Sequence, residues 1–248
     1  MAGHSKFKNI MHRKGAQDKK RAKLFSRLIR EISVAAKLGM PSPESNPRLR
    51  SAINTALAAN MNKDSIEKAI KKHSDNSNND QIEEIVYEGF GPSGIAIIIE
   101  SFTDNKNRTA SEIRTAFNKH NGNLGASGSV RHLFEKIGLI KFSKDISSFE
   151  DLFDYSAELE INDIEESDEF YEIYTSVEAF HATLEKFEKK YGIPKESGLD
   201  WKAKELVELD LDDAKKLLVL IEKLEDIDDV QKLSSNINIS DEVMEKIV

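Results

Sequence analysis

A chain of 248 residues with 36 Lys or Arg, 44 Asp or Glu and a net charge of −8 is long enough for two or three domains, and 39% hydrophobic beside 32% charged residues suits several small, well-solvated cores. The absence of cysteine excludes a disulfide framework, thiolate metal sites and cysteine nucleophiles. No apolar run approaches the ~20 residues of a membrane span and no secretory h-region follows Met1, so a soluble, cytoplasmic protein with no membrane partner is expected.

The first thirty residues carry ten Lys or Arg against one acid, Asp18, a net +9 inside an acidic protein. A phosphate-binding arm needs this concentration, because each cation that neutralises a phosphate releases condensed counterions. Residues 2–16 show no sustained period, contain Gly3 and Gly15, and set Phe7, Ile10 and Met11 among Lys6, Lys8, Arg13 and Lys14. They read as a flexible arm in which Phe7, His4 and His12 can meet bases or phosphates. From about Asp18 the period becomes helical: Phe25, Leu28, Ile29, Ile32, Ala35 and Ala36 share one stripe, and Lys19, Lys20, Lys23, Arg27, Arg30 and Lys37 the other. The bland reading, a solvated outer face of a core helix, accounts for the helix and not for the arm before it.

Gly39 and three prolines, with Asn46 as a cap before Pro47, separate this helix from a second whose stripe is Leu49, Ala52, Ile53, Ala56 and Leu57. A turn at Asn60–Lys63 leads to a third, with Ile66, Ala69 and Ile70 inward. Two short helices joined by a short turn fit a helix-turn-helix reader and equally any three-helix bundle. Residues 1–72 thus form a basic, all-helical nucleic-acid-binding domain with net +12, leaving −20 for the rest. The polar run 73–80 reads as a linker.

The period changes at Gln81. IEEIVYEGF and GIAIIIESFT are strands joined by a GPSG turn, NRTASEIRTAFNKHNG is a helix stopped by Gly122, and HLFEKIGLIKF (His132–Phe142) returns as a strand of the same sheet. From Ser143 to Lys190 fifteen acids face four lysines, a net −11. Here 147–160 and 177–192 read as helices, 168–176 as a strand, and Lys202–Leu209 as a closing strand. A strong helix capped by Asp210 or Asp212 and a final strand at VQKLSSNINI supply what the block 81–142 lacks. The fold class is therefore α+β and multidomain: residues 143–206 form an acidic α+β domain inserted in a second α+β domain made of 81–142 and 207–248, both of ferredoxin-like type.

Catalytic constellations are missing from the sequence, and no enzyme activity, metal or cofactor is expected. Gly122, Gly125 and Gly128 follow a helix instead of joining strand to helix, so they fit a helix stop and a flexible loop better than a dinucleotide loop. The cluster Thr103–Thr109 joins a strand to a helix, and Asn105, Asn107, Arg108 and Thr109 are either a second contact for nucleic acid or a turn with its cap.

The opening AGHSKFKNIMHRKGAQDKKRAKLFSRLIREISVAAK, with NPRLRSAI at Asn46–Ile53, YEGFGPSG at Tyr87–Gly94, TDNKNRTASEIR at Thr103–Arg114 and GNLGASGSV at Gly122–Val130, resembles the YebC/PmpR family. That family includes bacterial regulators and a mitochondrial translational activator of cytochrome c oxidase. Phe7 stands where the family usually has Trp, Met40 and Ser93 where glycine is common, and His120 where glycine is frequent. The resemblance implies the insertion of one α+β domain in another and a DNA-binding transcriptional regulator. The alternatives are an RNA-associated translation factor acting on mRNA, rRNA or the ribosome, and an adaptor whose acidic domains bind a basic protein. A monomer is assumed.

Overall fold

A computed structural model describes residues 17–74, 82–167 and 169–247, and their side chains except those of 17–20, 72–74 and 241. In chain order the elements are α1 (Gln17–Leu38), α2 (Pro47–Ala58), α3 (Lys63–Ser74), β1 (Glu83–Phe90), β2 (Ala96–Thr103), α4 (Lys106–Lys119), β3 (Asn123–Leu124), β4 (Phe134–Ser143), α5 (Phe149–Ser156), β5 (Asp163–Glu166), β6 (Phe170–Thr175), α6 (Phe180–Tyr191), β7 (Glu196–Ala203), β8 (Val207–Glu208), α7 (Leu211–Glu225), β9 (Val230–Ser235), β10 (Ile237–Asn238) and α8 (Asp241–Ile247). The proposed linker falls mainly on 75–80, outside the described residues, and its first two residues end α3. Two compact units emerge, and the chain passes between them inside β4 and again inside β7.

The first unit contains α1–α3 and residues 136–200. The helices close on a core that includes Leu28, Ile32, Leu49, Ala56, Ile66 and Ala69, as their periodicity requires. Asn46 fixes the α1–α2 connection: its side chain caps α2 by accepting the Leu49 amide at 3.0 Å and donates to the carbonyls of Ala35 and Met40, each at 2.8 Å. A Cβ on Gly39 would crowd that amide group, so the glycine serves close approach.

Residues 136–200 supply most of an antiparallel sheet in the order β5-β6-β4-β7, with α5 and α6 packed on one face through Leu152, Phe180, Leu184 and Phe187 against Ile140, Phe142, Tyr171 and Ile173. The element order βαββαβ is the ferredoxin-like arrangement. His132–Phe142 does not join the sheet of 81–103, where the sequence leads one to expect it. The strand pairs instead with β6, from Gly138 opposite Thr175 to Ser143 opposite Phe170. Period-2 alternation identifies a strand but carries no information about its partner. The strand expected at Lys202–Leu209 is likewise two elements, β7 starting earlier at Glu196 and the short β8. Within this unit the helices touch the sheet and its helices. Arg50 pairs with Glu185 at 2.7 Å, Asn54 Nδ2 donates to Glu188 at 2.8 Å and the Ser51 and Ser197 hydroxyls meet at 2.7 Å.

The second unit, 82–135 with 201–247 among the described residues, is built on the antiparallel order β3-β1-β2-β9. Helices α4 and α7 cover one face through Ile113, Phe117, Leu217 and Leu220. Val130, Phe134 and the partly buried Trp201 and Leu133 cover the other, against Ala96 and Ile98. Coverage of both faces explains why Ile95 to Ile99 are consecutively apolar and fully buried.

Candidate nucleic-acid interface

The basic face begins with α1. Lys23, Arg27 and Arg30 recur at i, i+4 and i+7 on one side of the helix, opposite the buried Leu28, Ile32 and Ala35. Arg21 is exposed, and its guanidinium lies 5.3 Å from the centroid of the Phe25 ring. The only acid between 21 and 37, Glu31, is matched by a two-point ion pair from Arg48 of α2, Nε at 2.7 Å and Nη2 at 3.3 Å. That pairing keeps a carboxylate from opposing phosphate on this helix. Ile29, expected inward, is 37% exposed, and Leu24, one turn from Arg21 and Arg27, is 44% exposed. The stripe drawn at 100° per residue is wider than the surface that α2 and α3 cover. Lys19 and Lys20 fall on the described backbone of α1, while Lys6, Phe7, Lys8, His12, Arg13 and Lys14 lie outside the described residues.

The Thr103–Thr109 cluster is organised around Asp229, a residue that its distance in sequence hides. Asn105 caps α4 by accepting the Arg108 amide at 3.1 Å, and Thr103 Oγ1 accepts the Asn105 amide at 2.9 Å. The hydroxyls of Thr103 and Thr109 donate to Asp229 Oδ2 at 3.1 and 2.7 Å, and Arg108 Nη2 reaches both Asp229 Oδ2 and Asp104 Oδ1 at 2.8 Å. Burial pushes the Asp229 carboxyl up, but the bonds from Arg108 and the threonines outweigh it and hold it below the usual range. Arg108 in turn has its pKa raised by the hydrogen bond to Asp229. This arrangement ties the start of α4 to the turn before β9. Arg108 and Asn107 remain exposed on its outer side.

The glycine-rich loop is likewise more than a helix stop. Glu88, in the middle of β1 and fully buried, accepts the Gly128 amide on Oε1 and the Val130 and Arg131 amides on Oε2, each at 2.9 Å. Its backbone carbonyl takes the Gly125 amide at 2.8 Å. Residues 125–131 are thereby fixed around an internal carboxylate, and the flexible loop expected from the glycines is a pinned one. In the GPSG turn Ser93 adopts φ 56°, a left-handed conformation that suits the glycine common at this place.

Among the described residues no helix is long and apolar enough to cross a membrane. Comparison with known proteins matches residues 5–76 to the TACO1/YebC protein N-terminal domain and residues 82–237 to the TACO1/YebC second and third domain. A protein of Zymomonas mobilis named probable transcriptional regulatory protein is 49% identical over 247 residues, covering 100% of this chain and 99% of its own. One of Rickettsia canadensis with the same designation is 50% identical over 245 residues, covering 98% of this chain and 97% of its own. The crystal structure of a conserved hypothetical protein from Aquifex aeolicus is 43% identical and superposes with a TM-score of 0.84 over 90% of this chain and 93% of that one. With both family domains matched in order across residues 5–237 and near-complete relatives at about half identity, the chain belongs to the TACO1/YebC family.

Proposed function

We propose that this protein is a non-enzymatic regulator of gene expression that grips nucleic acid through phosphates, using the basic side of α1 and the basic stretch before it. The observation that carries the reading is a row of cations, Lys23, Arg27 and Arg30, on a helix whose opposite side is core and whose one local acid is neutralised by Arg48. The relatives' designation points to transcription, and duplex DNA is the first ligand to test. Folded RNA offers the same phosphate chemistry and is the second.

The test is binding of the full chain to a DNA duplex and to a folded RNA at a series of salt concentrations, for wild type and for the variant with Lys19, Lys20, Lys23, Arg27 and Arg30 changed to Ala. Affinity is expected to fall for every sequence tested, and the slope of log K against log salt to flatten by ~0.7–0.9 per lost phosphate contact. Unchanged affinity and slope would move the binding surface elsewhere. A loss confined to one ligand at matched salt identifies the physiological class.

A further inference from the structure

Helix α5 presents an aromatic ledge to solvent. Its inner side is set by Leu152 and Ser156, both buried, and by Tyr155, whose ring meets that of Phe187 edge-on at 5.4 Å. On the outer side Phe149 and Phe153 are four residues apart, 36% and 56% exposed, with ring centroids 6.2 Å apart. Phe149 also lies 5.9 Å from the ring of Tyr171, which is buried in the sheet. Tyr171, Phe149 and Phe153 therefore form a row that runs from the core into water. Single exposed apolar side chains are ordinary on protein surfaces, but adjacent aromatics anchored at one end are the anchors that interfaces use.

Charge selects the occupant. Glu150 and Asp154 flank the two rings on the exposed side of α5 and make no ion pair among the described residues. The surrounding stretch 143–190 has fifteen acids to four lysines. Such a field repels nucleic acid and attracts cations, and the faces of the two phenylalanines add a site for guanidinium or ammonium groups. We propose that the α5 face docks a basic amphipathic segment of another protein, one that places an aliphatic or aromatic anchor on Phe149 and Phe153 and Lys or Arg beside Glu150 and Asp154. The inserted domain is then a protein-binding module in a chain whose nucleic-acid contacts lie elsewhere.

The test uses the full chain and a labelled synthetic helix with Leu at heptad a and d positions and Lys at the rest, beside a scrambled peptide of the same composition. The amphipathic peptide is expected to bind at least tenfold more tightly than the scrambled one. Phe153→Ser and, separately, Glu150→Lys with Asp154→Lys are expected to weaken it about tenfold or more, while the five-fold α1 variant leaves it unchanged. Phe153→Ser removes a side chain more than half exposed, and an unchanged melting curve certifies its fold. A benzoylphenylalanine in place of Phe153, which keeps the aromatic ring, is expected to capture the peptide. Equal binding of the scrambled peptide, or indifference to Phe153→Ser in a folded variant, would overturn the proposal. So would concentration-dependent self-association that Phe153→Ser abolishes, since it would make the occupant a second copy of this chain.

Discussion

Glu88 shows how much one buried carboxylate can organise. Three amides and the Arg131 guanidinium, with Nε 3.4 Å from Oε1, satisfy it. Burial raises its pKa and these partners lower it further than burial raises it, so the folded value lies below the ordinary one. A depressed carboxylate stabilises the fold fully above its unfolded pKa, about 4, and that contribution is lost as pH falls through the folded value. Glu88→Gln keeps one acceptor and turns an NH₂ towards backbone donors. It is expected to cost ~1.5–3 kcal/mol at pH 7, read by urea unfolding, and to shrink the gap from wild type below pH 4. Arg108→Ala asks a different question. If the guanidinium serves to hold Asp229, the variant melts at a lower temperature with nucleic-acid affinity unchanged. A weaker salt dependence of binding at intact stability would instead make Arg108 a phosphate contact. Neither Glu88 nor Asp229 stands out among 44 acids in the sequence, because their partners lie roughly 40 and 120 residues away.

At the scale of elements, the helices were legible because their stripes and caps are local. Asn46 before Pro47, Asp210 before Leu211 and the period of α1 all act within a few residues. In the five-fold α1 variant helicity is accordingly expected to survive by circular dichroism, since Ala is the better helix former, so any loss of binding reports charge. Strand partners were not legible. β4 reads as a strand in either sheet, and only the pairing with β6 decides. β5 is the acidic tetrapeptide DIEE and β7 opens on Glu-Ser-Gly, compositions of low strand propensity that tertiary pairing overrides. The last expected strand, VQKLSSNINI, ends at Ile239 and is two elements, β9 and β10, while α8, seven residues long, is too short to show a stripe.

Across the whole molecule, charge divides the chain more sharply than sheet topology does. Residues 1–72 carry a net +12 and the remainder −20. A fragment of residues 81–248 is expected to bind duplex DNA and folded RNA at least a hundredfold more weakly than the full chain at 0.1 M salt, where the Debye length is ~10 Å. Equal affinity, measured by anisotropy, would sink the assignment of binding to α1 and the arm. The charge boundary was visible in the composition. The contacts between the helices and residues 136–200 were not, because Arg50, Ser51 and Asn54 look like ordinary solvated positions until Glu185, Ser197 and Glu188 are placed beside them.

The pairing of β2 with β9 has a consequence for the birth of the chain. Ile99 lies opposite Leu233, so the apolar edge of β2 waits for a partner roughly 130 residues downstream, on the order of ten seconds at typical translation speeds. Throughout that interval Ile97, Ile98 and Ile99 belong to an open strand edge, the feature most prone to pair with another nascent chain. The intervening residues 136–200 emerge complete before β9 does, and early closure of their sheet shortens the loop that must be brought together to cover the edge. Slow or faulty folding of the insertion is therefore expected to appear as aggregation seeded by β2, far from the lesion itself.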